Sequence, residues 1–182
     1  ISGVETVELS DDLDANLTLA DVQAGISTLD LDSGSDGTNR TVTFEAGTRT
    51  VQLGAAVGTN GITFSDTGDA TTDALSLENT DPAVNVFASR TYTGNGFETV
   101  SVDTGDTTNT AQVIGDLNIT PDGTDTDITV NFSGSNVADV NDISTTSGGL
   151  LTVDASAMAA QTAGTTTFDL NTTSQGTDGT AD

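Results

Sequence analysis

A dozen short runs of alternating apolar and polar residues, each ended within a few positions by Gly, Asp, Asn or Thr, leave this chain few folds to adopt. They are Val4 to Leu9, Ile26 to Leu31, Thr41 to Phe44, Thr50 to Leu53, Gly61 to Phe64 and Ala74 to Leu77, then Ala83 to Phe87, Glu98 to Val102, Asp116 to Ile119, Ile128 to Phe132, Leu150 to Val153 and Thr165 to Leu170. A period of two sends one side of each run into a core and the other to solvent. Spacing of roughly 10 to 15 residues is near that of all-β sandwiches, barrels and solenoids. Thr, at 36 positions, suits strands through its β-branch. Helix signals are confined to Thr18 to Ala24 and Asp154 to Thr162, each long enough for one or two turns at a corner or for a plain loop.

The inward positions of these runs are mostly aliphatic pairs, such as Leu29 with Leu31, Val84 with Val86 and Val100 with Val102, joined by an occasional Phe. Six Phe, one Tyr and no Trp suit a narrow core better than a bulky one. Two echoes point to stacking. Gly3-Val4-Glu5-Thr6-Val7 returns as Gly96-Phe97-Glu98-Thr99-Val100, and Leu29 to Phe44 returns as Leu117 to Phe132, both running through an Asp- and Gly-rich loop into a T-V-x-F strand. Repeated coils of short strands that bury their faces on one another predict an elongated parallel β-solenoid. The expected division is residues 1–93 as one half of the array, 94–170 as a second half echoing the first, and 171–182 as a linker or severed loop. Immunoglobulin-like sandwiches are the alternative, and N-x-[ST] sequons at Asn16, Asn39, Asn118, Asn131 and Asn171 would fit a glycosylated surface protein of that kind.

Charge restricts function as alternation restricts fold. The chain carries 28 acidic residues, 23 of them Asp, against three Arg and no Lys, His or Cys, for a net charge of −25. Self-repulsion on that scale opposes compaction, so a cation is expected to neutralise it, the competing explanation being a salt-rich habitat, where an acidic, Lys-free surface favours solubility. Without His, Cys or Lys there is no base near neutral pH, no thiol nucleophile and no Schiff-base amine, so an enzyme is not expected. A surface this acidic repels phosphate backbones and anionic membranes, which removes nucleic acid and membrane insertion from the partners.

The G-[VF]-E-T-V-x-[LV] openings at Gly3 and Gly96, the Asp/Gly/Thr/Asn-rich loops and the lack of Cys and Lys resemble the large calcium-binding surface-layer and repeats-in-toxin type proteins of Gram-negative bacteria. That resemblance implies type I secretion, a cell-surface location, calcium in the turns of a β-solenoid, and self-assembly into a homo-oligomeric lattice or filament. The nonapeptide G-G-x-G-x-D of regular calcium rolls is missing, and its nearest fragments are Ser33 to Gly37 and Pro121 to Asp127. Irregular calcium sites at coil corners are therefore expected.

Chemistry supports the same cation independently. Ca²⁺ takes six to eight hard oxygens from carboxylates, carbonyls and water in irregular geometry. The densest candidate ligand sets are Asp30, Asp32 and Asp36, then Asp122, Asp125 and Asp127, and Asp66, Asp69 and Asp73. Alternation places Asp30 and Asp32 on one face, where two carboxylates converge. Asp is also an ordinary turn residue, so the charge imbalance carries more of the argument than any one loop. An adhesin stalk or carbohydrate-binding module contacting cell-surface polysaccharide is the second functional expectation.

Overall fold

Residues 3–22, 25–56, 58, 60–68, 72–105, 110–122, 127–146, 148–159 and 168–170 are described by the structure, a computed structural model, with side chains taken only to residue 159. Fourteen strands and no helix make up the described residues. In chain order they are β1 (Thr6–Leu9), β2 (Leu17–Thr18), β3 (Thr28–Leu31), β4 (Arg40–Phe44), β5 (Thr48–Leu53), β6 (Ile62–Asp66) and β7 (Ala74–Asn79). The second seven are β8 (Thr91–Asn95), β9 (Thr99–Asp103), β10 (Gln112–Thr120), β11 (Ile128–Gly134), β12 (Ala138–Thr145), β13 (Leu151–Met158) and β14 (Phe168–Leu170).

Odd strands form one seven-stranded sheet and even strands another, each in chain order and each wholly parallel. A chain that visits two sheets alternately and adds a parallel strand at every visit is winding a β-solenoid. The immunoglobulin-like alternative fails here, because that sandwich is built of antiparallel strands. Pairing stacks Thr6, Thr28, Thr50, Ser76, Ser101, Asn131 and Asp154, so successive coils take 22, 22, 26, 25, 30 and 23 residues. Four coils carry Thr6 to Ser101, which sets the echo of Gly3 at Gly96 two residues out of register but on the same face. The second echo lines β3 up with β10 and thus crosses from one sheet to the other. The boundary at residues 93 and 94 falls inside β8, and 171–182 lie outside the described residues.

Inward positions fill the space between the sheets. Leu29, Leu31, Val42, Phe44, Val51, Leu53, Phe64, Val100, Val102, Val130 and Phe132 are fully buried, each contributing roughly 1.5–3 kcal/mol. Phe87 and Tyr92 meet edge to face at 5.4 Å, and the Tyr92 hydroxyl donates to the Phe87 carbonyl at 3.3 Å. Outward positions of the even sheet hold polar columns such as Thr41–Thr63–Thr93. The odd sheet carries a column of four acids, Glu8, Asp30, Glu78 and Asp103, interrupted by Gln52.

Three expectations are corrected. Asp154 to Met158 belongs to β13, and beyond Thr18 the chain makes a turn, so neither helical reading holds. Ala83 to Phe87 is a turn, with Val84 exposed and the neighbouring Val86 and Phe87 both buried. There the side chain of Gln112, itself buried, accepts from the Val86 amide at 3.1 Å and donates to the Val84 carbonyl at 2.8 Å. Its amide thus stands in for the peptide group of a strand.

Candidate metal centre

The corners leading from even to odd strands stack one above another, and acidic residues stand at three successive ones. Asp66 closes β6 in register with buried Phe44, so its carboxylate occupies an inward position. Space for it comes from Gly96 in the coil above. That residue has φ +84°, and a Cβ there would collide with Asp66 Oδ1. Asp73 and Glu98 lie two residues before buried Leu75 and Val100, hence on the same inward side of their strands. Asp122 follows β10 after Pro121.

Carboxylate oxygens of Asp66, Asp73 and Asp122 lie within 4.8 Å of one another. Asp73 is 1% exposed; its Oδ1 accepts from the Gly47 amide, while its Oδ2 has no hydrogen-bond partner. Glu98 is 7% exposed, and its Oε2 accepts from the Asp73 amide at 2.8 Å while Oε1 is unpartnered. One Asp66 oxygen takes the Gly68 amide at 3.3 Å, and the other is unpartnered. Burial, then the neighbouring Asp73 carboxylate and the Asp122 charge, push the Asp66 carboxyl up to about 7. Burial first, with Asp122 and Asp73 adding to it, also raises Glu98.

Among the described residues no arginine forms an ion pair with Asp66, Asp73 or Glu98. Arg49 is buried one corner below but donates to the carbonyls of Glu45 at 2.8 Å, Ala46 and Thr48. Buried carboxylates lacking protein counter-ions are costly unless a cation joins them. An all-oxygen, convergent and irregular donor set fits a hard divalent ion of the Ca²⁺ class, whereas Zn²⁺ favours N and S ligands.

Of the residues nominated from sequence, the structure brings together Asp66, Asp73 and Asp122. Asp69 and Asp125 lie outside the described residues. Asp127 is exposed and accepts from the Leu150 amide at 2.9 Å. Asp30 lies within β3 on the outer face of the odd sheet, and Asp32 and Asp36 follow it into the opposite corner. Asp36 is engaged there by Arg40 through two hydrogen bonds, which hold its carboxyl below the usual range. Burial, then the Asp32 and Glu8 charges, raises Asp30, and Asp32 is exposed. Glu98 lies outside the acidic loops, immediately before β9, and its signal in the sequence is its parity with Val100 and Val102. No protein family, curated protein or solved structure matches the chain.

Proposed function

We propose that this chain is a structural segment of a secreted, self-assembling surface-layer or filament protein, and that Ca²⁺ bound among Asp66, Asp73, Glu98 and Asp122 ties its coils together. One observation supports the reading: carboxylate oxygens of half-buried Asp66, buried Asp73 and half-buried Asp122 lie within 4.8 Å of one another, with buried Glu98 hydrogen-bonded to the Asp73 amide beside them, and among the described residues no arginine pairs with Asp66, Asp73 or Glu98. A non-catalytic role agrees with a chain that lacks His, Cys and Lys. Each coil contributes ligands, so ion binding would resist separation of coils as well as cancel charge. A long parallel solenoid with a polar exterior is suited to a load-bearing or lattice role, with further Asp-rich loops available for bridging copies.

The test is electron microscopy with a calcium titration. Ordered sheets or fibres that form when Ca²⁺ is added and dissolve with chelator support the proposal. Particles unchanged by chelator at low ionic strength refute it.

A further inference from the structure

On the other side of the solenoid lies a cleft of about 340 Å³ whose chemistry is opposite to that of the rest of the molecule. It opens over the start of β6 and β8, with Asn39, Asn60, Ser89 and Arg90 around it and Thr63 and Thr93 among its walls. Among the described residues no carboxylate lines it, in a chain with a net charge of −25. Arg90 is the one arginine not engaged elsewhere: its side chain makes no hydrogen bond or ion pair among the described residues, and its Nε is buried without a partner.

The backbone at Arg90 is firmly placed. Ala88 and Ser89 both take positive φ, at 51° and 59°, a left-handed pair that non-glycine residues adopt only under constraint from their surroundings. The constraint is visible. The Ser89 amide donates to the Val113 carbonyl at 2.7 Å, the Arg90 amide to the Phe87 carbonyl at 3.0 Å, and the Gly115 amide to the Arg90 carbonyl at 2.9 Å. Gly61 lets the next coil close in, because a Cβ there would strike the Thr91 carbonyl oxygen.

We propose that this cleft binds a carboxylated sugar, a uronate residue of an extracellular polysaccharide, with its carboxylate on Arg90 and its hydroxyls on the Asn and Thr side chains. Guanidinium is the group best matched to a planar carboxylate, and amides and hydroxyls both give and accept the hydrogen bonds a sugar ring needs. The volume falls in the range of small-molecule sites. The proposal is independent of the Ca²⁺ reading, since it uses no residue of that corner.

Titration calorimetry with trigalacturonate, at low free Ca²⁺ so that ion bridging is suppressed, decides it. Saturable binding is expected, at least tenfold weaker for the neutral galactose trimer and at least tenfold weaker for Arg90→Gln. Asn60→Ala, which leaves the cation in place, should weaken binding severalfold and serves if Arg90→Gln fails to fold. Equal binding of acidic and neutral trimers, undiminished binding by a folded Arg90→Gln, undiminished binding by Asn60→Ala should the Arg90 variant not fold, or no binding by the native chain overturns the proposal. So does a self-association that Arg90→Gln abolishes in the absence of any sugar binding, which would assign the cleft to a carboxylate of a second copy.

Discussion

If Ca²⁺ sits among Asp66, Asp73, Glu98 and Asp122, its stabilising effect must shrink severalfold on mild acidification. In the metal-free protein the Asp66 carboxyl is raised from 3.8 to about 7, so between those values the folded chain holds a proton that the unfolded chain releases. Metal-free stability therefore falls as pH rises from about 4 to 7 and levels off above that range. A shift of that size corresponds to roughly 4 kcal/mol at 1.36 kcal/mol per unit, and solvent screening of this part-buried group reduces the contribution to about 1–3 kcal/mol. Binding reverses the sign, because the ion must displace that proton. At a concentration about 100 times Kd, Ca²⁺ adds about 2.7 kcal/mol at pH 8, or about 5–11 °C in Tm for a chain of this length. Affinity falls about tenfold per pH unit below 7, so at pH 5 the same Ca²⁺ adds only about 0.4 kcal/mol and 1–2 °C. Differential scanning calorimetry at pH 5 and pH 8, with Ca²⁺ and with chelator, reads the four values. Asp66→Asn should erase the difference. Equal Ca²⁺ shifts at the two pH values, or none at pH 8, would refute the assignment.

Three further outcomes follow from the same geometry. Gly96→Ala would drive a methyl into the Asp66 carboxylate and force an unfavourable φ, costing about 1–3 kcal/mol by denaturant titration and abolishing the Ca²⁺ shift in Tm. Gln112→Ala would leave the Val86 amide and Val84 carbonyl without their partner, lowering stability by roughly 1–3 kcal/mol by the same assay with Ca²⁺ response intact. Asp36→Asn, at a carboxylate held by Arg40, should leave the Ca²⁺ response of Tm unchanged; loss of that response would place the ion on the opposite corner.

Much of the fold is legible in the sequence because alternation survives wherever one face of a strand is buried. Eleven of the runs read from sequence overlap strands of the structure, and β2, β8 and β12 have none. The reasons are local. In β8 the inward position after Tyr92 is Gly94, which has no side chain to announce it. In β12 the buried positions run from Val140 to Ile143, a step of three, and β10 makes the same step from Ile114 to Leu117. Paired irregularities at Gly115 and Asn141 break the period of two in both strands at once, which hid β12 and half of β10. Acidic clustering within loops nominated Asp66, Asp73 and Asp122. Their convergence was not legible, since coils of 22 to 30 residues have no constant repeat from which to extrapolate which corners stack. Glu98 belongs to no acidic loop, yet its parity with Val100 and Val102 marks it as buried.

Anomalous diffraction from crystals of the chain grown with Ca²⁺ locates the ion. The expected result is a peak about 2.3–2.6 Å from oxygens of Asp66, Asp73 and Asp122, with Glu98 completing the shell. A map with no peak there, or with its strongest peak at Asp30 and Asp32, would contradict it.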